Sequence, residues 1–115
     1  MENRADINKE NSDDETLTFY ASHSGNENML KYLMELGADI NKKNNDCKTS
    51  LLDVCFNGNE KMIKYLVEQG TYVNKENIIG EIPLFIVCDK EFENIVKYLV
   101  KHNTNVNKIT SFLLH

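Results

Sequence analysis

At 115 residues the chain has room for one domain, and 41% hydrophobic with 27% charged residues is the balance of an ordinary folded protein. A single proline excludes a proline-rich linker, and the longest apolar run, Pro83 to Cys88, is far short of the roughly 20 residues that cross a bilayer. The net charge of −5 is concentrated at the front: residues 1–41 carry nine acids against Arg4, Lys9 and Lys31, so the phosphates of a nucleic acid find no basic face there.

The sequence predicts helices in pairs. Thr16 to Ser22 reads as a short helix that Thr16 can cap. Gly25 separates it from a longer one whose apolar stripe is Met29, Leu30, Leu33 and Met34, closed by Gly37. A polar stretch leads to Thr49 through Cys55, again opened by a threonine, then Gly58. The stripe of Met62, Ile63, Leu66 and Val67 follows, closed by Gly70. After the polar Asn74–Asn77 comes Ile82 to Cys88, with Pro83 at a favourable first helical position. The last stripe is Ile95, Val96, Leu99 and Val100, and Asn103 stands in the closing slot.

These pairs are copies. Asn8, Asn41, Asn74 and Asn107 are spaced by 33 residues, as are Ile7, Ile40, Val73 and Val106. Lys31, Lys64 and Lys97 keep the same interval, and so do the tyrosines Tyr32, Tyr65 and Tyr98 and the leucines Leu33, Leu66 and Leu99. A period of this length marks stacked supersecondary units, each burying its neighbour's apolar face. Three full units result, 9–41, 42–74 and 75–107, with partial units at 1–8 and 108–115 in a single domain spanning 1–115.

Several copies break the pattern. Glu91 fills the inter-helix slot held by Gly25 and Gly58, while Asp14 and Cys47 stand where Gly80 marks a tight turn. A positive φ at such a slot costs a non-glycine residue about 1 kcal/mol. Asp53 falls inside a short helix, aligned with Tyr20 and Ile86, and is expected to be half exposed or hydrogen-bonded. Ile82 replaces the capping threonine, so the third short helix is expected to fray at its start. Modest stability follows. The tyrosine ladder is expected to pack ring on ring along the outer layer, with hydroxyls toward water.

The helix–turn–helix unit resembles the ankyrin repeat. The family's T-P-L-H opening is similar to Thr49-Ser50-Leu51-Leu52 and Ile82-Pro83-Leu84-Phe85, and more loosely to Thr16-Leu17-Thr18-Phe19. Its second-helix signature resembles Glu93-Asn94-Ile95-Val96-Lys97-Tyr98-Leu99-Val100. Its closing G-A-D-x-N stands intact as Gly37-Ala38-Asp39-Ile40-Asn41, with looser versions at Gly70–Asn74 and Asn103–Asn107 and a tail at Arg4–Asn8. The resemblance implies an all-α solenoid of stacked helix pairs with protruding β-hairpin-like turns.

It also implies a non-catalytic module that holds a partner protein on its turn tips and on the concave face of its short helices. Carried over slot by slot, that surface is Ser12, Asp13, Glu15, His23 and Ser24 in the first unit. In the second it is Asn45, Asp46, Lys48, Phe56 and Asn57, and in the third Ile78, Ile79, Glu81, Asp89 and Lys90. Phe56, Ile78 and Ile79 stand out as apolar residues in slots expected to be exposed; the isoleucines either form a contact patch or pack against a neighbouring turn. The alternative is a structural spacer within a longer array whose partner site lies elsewhere.

No chemistry competes with this reading. His23, His102 and His115 are scattered without metal-ligand spacing, and neither a glycine-rich phosphate loop nor a C-x-x-C pair is present. Cys55 and Cys88 lie on adjacent units, too far apart for a disulfide. No cofactor or metal is expected. Free thiols and the lack of an apolar leader point to an intracellular, cytoplasmic monomer without membrane insertion.

Overall fold

The computed structural model describes residues 6–102 and contains six helices: α1 Leu17–His23, α2 Glu27–Glu35, α3 Ser50–Asn57, α4 Glu60–Glu68, α5 Pro83–Asp89 and α6 Glu93–Lys101. Among the described residues there is no strand. The closing segment at 103–107 and the partial unit at 108–115 lie outside them, as do residues 1–5 of the first tail.

Four of the six helices start where a side chain supplies a partner for their free N–H groups. Thr16 Oγ1 accepts from Phe19 N–H at 3.3 Å, and Thr49 Oγ1 accepts from Leu52 N–H at 3.2 Å. The first two long helices begin on asparagines: Asn26 Oδ1 accepts from Met29 N–H at 3.0 Å and Asn59 Oδ1 from Met62 N–H at 3.1 Å, whereas α6 follows Phe92 without a side-chain cap. Ile82 provides no such bond, yet α5 starts at Pro83, in register with Leu17 and Ser50. The expected fraying gives way because Pro83 has no N–H to satisfy and Ile82 is itself buried. α2 and α4 end in the expected way: Gly37, at φ +90°, donates to Met34 O, and Gly70, at φ +85°, donates to Val67 O while Thr71 donates to Leu66 O.

The short helices form one row, α1 against α3 and α3 against α5, and each packs on its own long partner. Leu33, Leu66 and Leu99 occupy equivalent buried positions in successive layers, with Leu30, Ile63 and Leu52 fully enclosed. Asparagine ties the layers together. Asn8 Oδ1 accepts from Asp39 N–H at 2.7 Å, and one unit later Asn41 Oδ1 accepts from Tyr72 N–H at 2.8 Å. Lys42 adds an ion pair to Glu10 at 2.8 Å.

The turns between units are hairpin-like without being strands. In each, an asparagine folds the chain over itself: Asn11, Asn44 and Asn77 each accept two backbone N–H groups on Oδ1. The strain expected in the irregular copies is present. Asp14, Cys47 and Glu91 adopt φ of 62°, 59° and 62°.

The outer tyrosines do not stack on one another in the expected manner. Tyr98 lies 4.1 Å from the ring of His102, the residue that follows α6, and its hydroxyl donates to Lys64 O at 3.4 Å. Tyr65 is buried, whereas Tyr32 is exposed. A hydroxyl that reaches the backbone of the preceding helix satisfies itself inside the interface, which is why the Tyr98 ring sits between layers.

Candidate functional site on the short-helix row

The turn asparagines place the residue that follows each turn at the foot of a short helix. Glu15, Lys48 and Glu81 occupy this slot, and all three are half-buried. In the first unit Glu15 Oε1 accepts from Tyr20 Oη at 2.7 Å and from Asn11 Nδ2 at 3.1 Å. The Tyr20 hydroxyl, followed by the Asn11 amide, holds the Glu15 carboxyl below its ordinary range. In the third unit Glu81 Oε1 accepts from Asn77 Nδ2 at 2.8 Å.

The second unit differs. Lys48 lies 5.4 Å from the centre of the Phe56 ring, and Lys90 of the third unit lies at the same distance from it. Phe56 thus has two ammonium groups on its π-system and a part of its surface packed on the core. It is half-buried rather than exposed, because α3 has neighbours on both sides.

Beside this cluster sits a buried carboxylate. Asp53 is only 5% exposed; its Oδ2 lies 2.7 Å from His23 Nδ1 and its Oδ1 lies 3.9 Å from Lys48 Nζ. His23 itself is exposed, so one imidazole nitrogen is fixed by Asp53 while the ring faces solvent. The residues His23, Lys48, Asp53, Phe56 and Lys90, drawn from three units, therefore form one connected polar–aromatic group.

The other residues of the anticipated surface are distributed around it. Ser12, Asp13, Ser24, Asn45, Asp46, Asn57 and Asp89 are exposed. Asn45 N–H donates to Asp13 O at 3.1 Å, joining the first two turns. Ile78 and Ile79 are 70% and 69% exposed at the third turn tip, open to water instead of packed on a neighbouring turn. Sequence reasoning singled out Asp53 without assigning it to the surface, and of the two asparagine ladders it missed the one in the turns. Asn11, Asn44 and Asn77 recur at the 33-residue period, a signal that was there to be read.

Cys47, Cys55 and Cys88 are free, and burial pushes the Cys55 thiol up to about 12. Among the described residues no group of three histidines, cysteines or carboxylates is placed to hold a metal, and no helix is long and apolar enough to cross a membrane.

A family model for ankyrin repeats, described as three copies, matches residues 1–77 and 54–115. The chain belongs to the ankyrin-repeat family. Ankyrin repeats are in general protein–protein interaction modules, and the family is in general non-enzymatic. No curated protein matches the chain closely enough to count as a relative.

Proposed function

We propose that this ankyrin-repeat protein binds a partner protein through the short-helix row and turn tips, without catalysis. The observation that carries the reading is Phe56, held between Lys48 and Lys90 beside the His23–Asp53 pair. An aromatic anchor ringed by charge is the composition of a binding hot spot. The exposed Ile78 and Ile79 extend the surface at the third turn, and Asp13, Asn45, Asp46, Asn57, Glu81 and Asp89 form its polar rim.

The test uses the whole chain as bait, with the recovered partner then titrated against variants. Phe56→Ala combined with Ile79→Ala is expected to weaken that complex by about tenfold or more. Lys90→Glu, at an exposed position that does not endanger folding, is expected to weaken it too. Unchanged affinity in both variants removes the assignment of the site. A circular dichroism melt of each variant separates lost contact from lost fold.

A further inference from the structure

The repeat provides its own control for what each slot packs against. Leu17, Tyr20, Met29 and Tyr32 of the first unit are 48%, 49%, 50% and 61% exposed. In the second unit the same slots hold Ser50, Asp53, Met62 and Tyr65, all buried because the preceding helix pair covers them. The leading edge of the stack therefore carries an apolar stripe on both α1 and α2 of a kind that the other two units enclose. Four large exposed side chains on two helices that pack on each other exceed the scattered apolar exposure of an ordinary surface.

The interior layers indicate what fits there. Tyr98 meets a helix: its hydroxyl donates to Lys64 O, and Lys64 Nζ lies 5.5 Å from its ring centre. Tyr32 presents the same ring and hydroxyl outward, with no layer in front of it among the described residues. The charge around the patch adds a second requirement. A concavity of about 640 Å³ beside Leu17 and Tyr20 is rimmed by Asp6, Glu10 and Glu15, with Lys9 the one cation lining it among the described residues and Lys42 paired to Glu10 beside it. From Asp6 to Asn41 the acids outnumber the lysines by eight to two.

We propose that this edge is a second docking surface, at the α1–α2 end of the stack and apart from the Phe56 cluster of the short-helix row, whose occupant is a basic amphipathic helix of a partner protein. Its apolar face covers Leu17, Tyr20, Met29 and Tyr32, and its lysines or arginines reach the acidic rim. A second copy packed edge to edge would set two acidic rims against each other, so self-association is disfavoured.

The probe is a synthetic helical peptide of about 18 residues, leucine-rich on one face and lysine-rich on the other. Its counterpart replaces every lysine by glutamate. The full chain is expected to bind the basic peptide at least about tenfold more tightly than the acidic one, with affinity falling as salt rises. The Leu17→Ala/Tyr32→Ala variant is expected to lose about tenfold or more of that affinity, while Phe56→Ala keeps it. Both residues are half-exposed or more, so the variant should retain its melting temperature.

Equal binding of the two peptides, or binding kept in the Leu17/Tyr32 variant, overturns the proposal. A concentration-dependent dimer in sedimentation that disappears in the same variant also overturns it, because the occupant is then a second copy. Loss of peptide binding in Phe56→Ala would instead place the peptide on the Phe56 cluster, and would overturn it equally.

Discussion

Replacing Gly58 by alanine tests the register of the stack and the integrity of the site together. Gly58 has φ +68°, and a Cβ built there meets Phe92 Cζ at 2.8 Å and Cε2 at 2.9 Å. The left-handed backbone alone costs an alanine about 1–2 kcal/mol. Displacing the half-buried Phe92 ring, which packs against the core, adds about 1–3 kcal/mol by the usual penalty of overpacking. Gly70 is the control, since it has φ +85° but nothing within 4 Å of the added methyl, so Gly70→Ala pays only the backbone term. Gly58→Ala is therefore expected to lose about 1–3 kcal/mol more than Gly70→Ala, read from urea unfolding followed by circular dichroism. In a Phe92→Ala background the excess should vanish. Because Phe92 follows Lys90 in the same turn, the substitution should also weaken partner binding. Equal costs for the two glycines within about 0.5 kcal/mol would refute the packing argument.

The His23–Asp53 contact carries two further predictions. His23→Ala strands a buried carboxylate with only Lys48 nearby, and the expected loss is about 1–2 kcal/mol, reduced from the full value because His23 is solvent-exposed. A stability equal to that of His102→Ala would remove the contact from consideration. Asp53→Ile installs the residue that stands in the same slot of the third unit, Ile86, and is expected to leave stability unchanged or raise it while weakening partner binding. Glu15 gives a pH test. Its carboxyl lies below the ordinary 4.5, so its contribution to stability is fully present above that value and is lost as pH falls through the lower folded-state value. Tyr20→Phe should move the Glu15 titration, followed by carboxyl NMR, up toward 4.5; an unmoved midpoint would show that the hydroxyl does not hold it.

What could be read in the sequence was whatever depends on chemistry at fixed local offsets. Thr16 and Thr49 announce helix starts because a hydroxyl reaches a backbone N–H three residues on. The leucine ladder announces layers because one stripe must face a neighbour. Contacts between units were harder. His23 and Asp53 are 30 residues apart, an interval shorter than the period, and they meet because the end of α1 lies beside the first turns of α3. Phe56 and Lys90 are 34 residues apart, one more than the period, and meet across the next interface where the ends of α3 and α5 lie near each other. The expected fraying of α5 failed because a cap was judged by its side chain alone, whereas burial of Ile82 anchors the same point. The tyrosines were misjudged because a ladder in sequence suggests like meeting like, while the layer offset sets Tyr98 against a backbone carbonyl.

The slots that differ between units argue against a bare spacer. Where the stack needs only cohesion, the units agree: leucine, lysine, tyrosine and asparagine recur without variation through the second helices and the joints. The slot of His23, Phe56 and Asp89 instead holds three different chemistries, and that of Tyr20, Asp53 and Ile86 does so as well. Burying Asp53 costs desolvation that isoleucine in the same slot avoids, so cohesion gives no reason for an acid there. The carboxylate does fix the His23 ring from below and sets a negative charge beneath Lys48, which leans on Phe56. Those are constraints on a surface, and a surface is constrained in this way when something else has to fit it.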